Sequence, residues 1–509
     1  MRYIHLVFVS FFLHLNVSAQ LEPERVTRKF FPDPDIIFRT PAFVKDDGFT
    51  THSEMMEFLK KIANNHPGLI RWSTAGYTQR GMEIPLVTIK KGNKKNKIRL
   101  FYFAGVHGNE PAGIDALLLF IEKMAEDPSL ILLLDKLEFY ILPMLNCDGV
   151  SDFSRLSANG ININRDMITL DTPEATVLHA IMNKVNPHIT VDFHEFGPYH
   201  ERYSAISPIK MMIPWDVMFL FSCNPNITKE LRNIVAEPFL SDAVTEIEKH
   251  GLTHHTYYAS SMTPQGISFM QGNNSPNLTV TSLALRNTIS LLVETRGIGL
   301  GRASLRRRVL AAYILSVSIA KTSYHNTPLI RNTLTKSKKS KDDIVLNYST
   351  KKTKMELPFI NVEDNEIERK IVAADLACQV TPEEKQAIPQ AYILLPEQKK
   401  IVELLKKMGT KVTVLKEEKK MEVQCFLVRD IGQTVADSIL DKQIVFNTEK
   451  KNVTFPPGTY YIPTTQKNGR LLNVLLEPES IDGWIYQGVI KAKKGEYLPV
   501  YKRINKRAH

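Results

Sequence analysis

Two rhythms of apolar residues run along this chain. In residues 53–64 (SEMMEFLKKIAN), Met55, Met56, Leu59 and Ile62 recur at helical spacing, and His66-Pro67-Gly68 follows as a stop. This predicts an amphipathic helix. Short continuous apolar runs predict buried strands at 97–104 (KIRLFYFA), 138–145 (EFYILPML), 189–193 (ITVDF) and 290–293 (SLLV). Pro143 argues against a central position for the end of the second run. Between the strands, stretches at 111–126 and 172–185 predict helices, with Pro111 at a tolerated first-turn position, and 303–323, basic at its start and apolar beyond, predicts a closing helix. Strands alternating with helices imply an α/β fold, a sheet covered on both faces.

After residue 325 the pattern changes. Residues 326–344 are polar and lysine-rich, which predicts a linker, and residues 345–509 predict a smaller C-terminal accessory domain, α/β or β-rich. That region holds one expected helix at 396–408 and strand-like runs AYILL, KVTVL, GTYYIP and LLNVLLE. At the other end, Arg2, an apolar stretch Ile4–Leu15 and Val17-Ser18-Ala19 form a secretory signal pattern over residues 1–19, with cleavage near Ala19/Gln20. The expected location is therefore secreted or periplasmic. Residues 20–325 would then form the main domain, with no transmembrane segment once the signal is removed.

Composition removes several classes. Hydrophobic residues are 43% and charged residues 23% of 509, so the chain is neither wholly disordered nor fibrous. The net charge of +11 comes partly from lysine clusters at 336–341, 351–354 and 416–420, without a base-stacking module, so no nucleic-acid partner is expected. Cys147, Cys223, Cys378 and Cys425 allow three pairings, among which the sequence does not choose.

The candidate chemistry lies where strands end. His107 and Glu110, in Gly105-Val106-His107-Gly108-Asn109-Glu110, follow the first of these strands, and a His nitrogen with a carboxylate is a standard zinc pair. A third ligand, His194, follows the ITVDF strand, and Glu294 follows SLLV. Sites in open α/β sheets lie at the carboxyl ends of strands, so three strands deliver these groups to one edge. Two histidines and one carboxylate with an open fourth position make a hydrolytic zinc site, with Glu294 as the non-ligand base that takes a proton from water. Arg155 and Arg165 lie on a Gly/Asn-rich loop, where one guanidinium can clamp a carboxylate and another can stabilise an oxyanion.

With these motifs in place, the chain resembles the zinc carboxypeptidase family, the carboxypeptidase A-like metallopeptidases. The matching pieces are H-G-N-E at 107–110, N-C-D-G at 146–149, Arg155, N-x-N-R-D at 162–166, D-F-H-E at 192–195 and L-V-E-T-R-G at 292–297, over about residues 50–322. It looks like a secreted, bacterial-type member with an extra C-terminal region. The resemblance implies a mixed central sheet with helices on both faces, and one Zn2+ per chain held by His107, Glu110 and His194. It implies Glu294 as the base, Arg155 on the scissile carbonyl, Asn164 and Arg165 on the substrate's terminal carboxylate, and Tyr257 or Tyr258 closing over the substrate. Peptide or protein C-termini are then the expected substrates. Alternatives that keep the metal are an amidase on cell-wall peptides and a deacylase of N-acyl amino acids; a catalytically inactive binding protein is a third.

The chain departs from the family in three places. Asn109 stands where the animal digestive enzymes carry arginine, and Cys147 where proline is usual. The 100 residues from His194 to Glu294 imply an insertion near 199–265 that reshapes the pocket. Residues 20–49 are too short for the large inhibitory pro-domain of the digestive enzymes, so activity without one is expected.

Overall fold

Strands Ile98–Ala104, Ile189–Phe196 and Ile289–Arg296 lie side by side and parallel in the middle of an eight-stranded mixed sheet. The computed structural model describes residues 22–436 and 439–504; the expected signal sequence lies outside them. Towards one edge, Leu137–Leu142, Glu83–Ile89 and Ile70–Tyr77 complete the sheet. Towards the other stand Val217–Phe221 and His254–Thr256. Every residue of Ile189–Phe196 and Ile289–Arg296 is buried, as strands covered on both faces must be.

Alternation along Ile189–Phe196 assigns the two faces. Phe193 meets Gly113 of the helix Ala112–Glu126, where an added Cβ would lie 3.0 Å from the Phe193 side chain. Asp192 points the opposite way and takes the hydroxyl of Thr279, at the start of the helix Thr279–Leu285. The helix Leu305–His325 joins Ala112–Glu126, and the Tyr102 hydroxyl donates to the Ser316 carbonyl at 2.9 Å. At the start of the chain's first amphipathic helix, His52–Asn65, Thr51 and Glu54 form a reciprocal cap, with Thr51 N–H donating to Glu54 at 2.8 Å.

Several boundaries differ from expectation. The strand Leu137–Leu142 ends just before Pro143, so it sits centrally, between Glu83–Ile89 and Ile98–Ala104, without breaking a ladder. The lysine-rich stretch read as a linker is helical over Thr327–Lys339. Pro328 sits in its first turn, and Ile330 and Leu334 turn inward at i,i+4 spacing while the lysines face water. The run LLNVLLE is helical within Gly469–Leu476. A continuous apolar run has no period, and this helix is buried nearly all round.

The chain beyond residue 344 is knitted into what precedes it. Strands Ile344–Asn361 and Glu366–Gln386 form a long antiparallel hairpin. It pairs with Met211–Met212 on one side and Gly266–Gln271 on the other. Tyr258–Thr263 completes this five-stranded sheet, so the stretch expected as an insertion shares a sheet with the later hairpin. A disulfide, Cys223–Cys378, joins the same two parts, and Cys147 and Cys425 are buried free thiols. A six-stranded sheet follows, from Ala391–Leu394, Thr413–Val414, Lys419–Ala436, Ile439–Phe455, Tyr460–Pro463 and Val500–Arg503.

Candidate metal centre

The turn after Ile98–Ala104 brings His107 and Glu110 back over the sheet. Gly108 lies against the neighbouring loop so closely that a Cβ would fall 1.9 Å from the Gly149 carbonyl carbon, so no other residue fits there. Glu110 is buried and both its oxygens are engaged. Oε1 lies 2.8 Å from His107 Nδ1 and takes Arg155 Nη1 at 3.0 Å. Oε2 lies 2.8 Å from His194 Nδ1 and accepts the Glu195 backbone N–H at 3.1 Å. The two ring nitrogens, His107 Nδ1 and His194 Nδ1, are 3.1 Å apart.

The outer partners fix which ring atoms face inward. Asp192 Oδ2 lies 2.8 Å from His194 Nε2, so that nitrogen carries the hydrogen. Asn162 Oδ1 lies 3.0 Å from His107 Nε2 and also accepts the Asn164 N–H at 3.0 Å. Arg155, which can only donate, lies 3.1 Å from His107 Nδ1, so that nitrogen accepts. Two imidazole lone pairs and a carboxylate therefore converge on one point. Such a set repels itself unless a positive charge sits among it. The ligand atoms of His107, Glu110 and His194 lie within 4.8 Å of one another. Zinc–nitrogen distances near 2 Å in a tetrahedral site put two ring nitrogens ~3.3 Å apart, close to the spacing found. The residues fit zinc.

The electrostatics agree. Burial pushes the Glu110 carboxyl up, but the His107 and His194 charges outweigh it and hold it well below the usual carboxylate range. Burial lowers His107. Burial also opposes a charge on His194, yet Asp192 and Glu110 raise it well above the ordinary imidazole value. The Glu110 and His194 shifts express the attraction between buried carboxylates and positive charge at the centre, while burial alone accounts for the direction at His107.

Glu294 is the register partner of His194 on the adjacent parallel strand, so the two side chains emerge on the same face. Burial pushes its carboxyl up to about 8, against the pull of His194 and with Glu110 adding to the rise. Asn164 is buried, its Oδ1 held by the Thr279 N–H at 2.9 Å and hydroxyl at 3.1 Å. Arg165 donates to the Asn164 carbonyl at 2.7 Å. Burial and Arg155 lower its pKa, with Tyr257 and Glu294 acting the other way, so these groups share one field. Tyr257 also feels Glu294, Arg155 and Arg165. Tyr258 instead accepts Trp215 Nε1 at 3.2 Å and packs on Phe269.

All seven residues singled out in the sequence thus gather at one place. The partners that sequence reading passed over are Asp192, Asn162 and Thr279. Asp192 had a signal: it lies two residues before His194, hence on the same strand face. Thr279 had none, because it meets the site only through the fold. Two motif residues are structural. Glu195 clamps Arg308 at 2.6 Å, and Arg296 pairs with Glu22 over the Phe31 ring, tying down the start of the described chain.

The zinc carboxypeptidase family profile matches residues 55–199. Carboxypeptidase 2 of Trichophyton rubrum is 25% identical over 96% of this chain and 95% of its own. Carboxypeptidase M of Mus musculus is 29% identical over 19% of this chain and 24% of its own. Among solved structures, carboxypeptidase A from Helicoverpa armigera aligns with a TM-score of 0.44 and 14% identity over 55% of this chain and 75% of that one.

Proposed function

The chain belongs to the zinc carboxypeptidase family, and we propose that it is a secreted enzyme that removes the C-terminal residue of peptides with Glu294 as general base. The observation that carries this reading is the convergence of His107 Nδ1, Glu110 and His194 Nδ1 beside a buried carboxyl that has no ligand role. One zinc ion held by these three residues supplies a Lewis acid that lowers the pKa of water and polarises a carbonyl.

The chain's own groups do the rest. Glu294 accepts the proton of the attacking water and returns it to the departing amine. Its buried carboxyl starts near pKa 8, and a nearby cation brings it down towards neutral pH, where a base works best. Arg155 steadies the oxyanion. Arg165 offers a planar fork to the substrate's terminal carboxylate. Asn164, its oxygen held by Thr279, has its amide NH2 left to donate to the same group. Tyr257, in the field of these arginines, is the residue assigned to close over the substrate. We assign catalysis to residues 20–325 and an accessory role to residues 345–509.

The test uses one peptide in two forms, with a free C-terminus and as its C-terminal amide, each with and without a zinc chelator. Mass spectrometry should show loss of one residue from the free form only, abolished by the chelator. Zinc-loaded protein that leaves the free peptide intact and cleaves an N-acyl amino acid or a cell-wall peptide would replace this reading.

A further inference from the structure

A cleft of about 1260 Å3 opens at the other end of the same strands. It reaches Arg99, at the start of the strand that leads to His107, and His188, just before the strand that carries His194. Six residues of extended chain separate His188 from His194, about 20 Å. The cleft is therefore remote from the metal centre. Its other walls come from the helix Thr327–Lys339 and from the segment around Lys467 that enters the helix Gly469–Leu476.

Seven cationic side chains line this space, and four of them, Arg99, Arg331, Lys338 and Lys467, come from three segments, Arg331 and Lys338 sharing the helix Thr327–Lys339. Those with bonds give them to neutral oxygens. Arg99 donates to the Asn186 carbonyl at 2.9 and 3.0 Å, Arg331 to the Asn96 carbonyl and Lys467 to the Asn186 side-chain oxygen. Among the described residues no carboxylate pairs with any of the four. Arg470, on the same wall, does have an acidic neighbour, Asp342 at 3.9 Å. The charges that act on Lys467 are those of Arg286, Arg99 and Lys338, and the charges that act on His188 are those of Arg99, Arg331 and Lys467. Asp342, Asp343 and Glu230 act on Arg470 at one side of the cleft, while the four like charges held together without a carboxylate partner make a positive potential inside a walled space.

We propose that this cleft binds a multivalent oxyanion, a short chain of phosphate groups, bridging the strand starts, the helix Thr327–Lys339 and the C-terminal segment around Lys467. A single phosphate is too small to reach all four cations across a cleft larger than ordinary small-molecule pockets, which run to roughly 1,000 Å3. A chain of phosphates can span the cations of the strand start, the helix and the C-terminal segment together. Burial and the neighbouring cations push the Lys467 ammonium down to about 7, and an anion beside it reverses that shift. The bound ligand ties the C-terminal segment to the catalytic sheet, so it stabilises the folded chain by mass action.

The probe is inorganic triphosphate, titrated calorimetrically into the zinc-loaded chain at low salt, with orthophosphate alongside. The expected result is one triphosphate per chain, at least tenfold tighter than orthophosphate, weakened by salt, with a raised unfolding temperature. Arg331→Gln with Lys338→Gln should weaken triphosphate at least tenfold. Lys338 is exposed, so Lys338→Glu alone tests the site should the double variant fail to fold, and should weaken binding at least threefold. Lys351→Gln with Lys354→Gln, outside the cleft, should change nothing. Absence of 1:1 binding at millimolar triphosphate overturns the proposal. So does binding that survives the cleft variants, which places the anion elsewhere, the metal centre included.

Discussion

Asp192 Oδ2 lies 2.8 Å from His194 Nε2, and the same oxygen accepts the Thr279 hydroxyl. The carboxylate thus fixes the ring's orientation and leaves Nδ1 facing Glu110 and His107. Partners of this kind raise the basicity of a ligand imidazole, and losing one typically weakens metal binding 10–100-fold. Asp192→Ala should therefore raise the zinc dissociation constant by about that factor, measured by competition with a chelating dye. Unchanged affinity would show that Asp192 does not position the ligand.

Arg165 is the group expected to recognise a free carboxylate. Arg165→Ala should raise KM for peptides with a free C-terminus by about 10-fold or more, the scale of a charge-assisted hydrogen bond, and leave zinc content intact. It should also narrow the preference for the free peptide over its amide. Equal loss on both forms would mean that Arg165 acts on something other than the terminal carboxylate.

His179 is buried between two fixed partners. Arg286 Nη1 donates to its Nδ1 at 2.7 Å, and its Nε2 donates to the Met167 carbonyl at 2.9 Å. Only the neutral ring satisfies both. Burial, with the Arg286 charge adding to it, pushes its pKa down to about 3. The folded chain then holds fewer protons than the unfolded chain between about 3 and 6.5. Stability is accordingly full above 6.5 and is lost as pH falls through that window. Urea midpoints should drop from pH 7 to pH 4, and less steeply in His179→Gln. Equal slopes in both proteins would remove His179 from the acid response.

Cys223 and Cys378 join two segments 155 residues apart. Closing so long a loop restricts the unfolded chain, so Cys223→Ala with Cys378→Ala should cost about 2–5 kcal/mol and lower the unfolding temperature. Two thiols, Cys147 and Cys425, should react in denaturant without reductant. Four reactive thiols would contradict the pairing.

Much of the site was legible because its chemistry sits at predicted strand ends. His107, His194 and Glu294 follow or end apolar runs that became Ile98–Ala104, Ile189–Phe196 and Ile289–Arg296. What stayed hidden depended on tertiary contact. Nothing near Thr279 announces that it meets Asn164, which is 115 residues away in the chain. The choice between Tyr257 and Tyr258 also depends on tertiary contact: Tyr258 packs on Phe269 and accepts Trp215 Nε1, whereas Tyr257 lies in the field of Arg155 and Arg165. Lysine-rich composition concealed the inward pair Ile330 and Leu334, and a run without polar breaks concealed the helix Gly469–Leu476. Nor does any local pattern reveal that Gly266–Gln271 pairs with a strand about a hundred residues later.

Glu294 is proposed to activate water without holding the metal. Glu294→Gln keeps the size of the side chain and removes the base. Zinc content by atomic spectroscopy and single-residue release by mass spectrometry should be read on the same samples of wild type and variant. One zinc per chain is expected in both proteins, with kcat reduced by about 10²–10⁴ in the variant, the range for removal of a general base. Turnover near the wild-type rate, or loss of zinc from the variant, would contradict it.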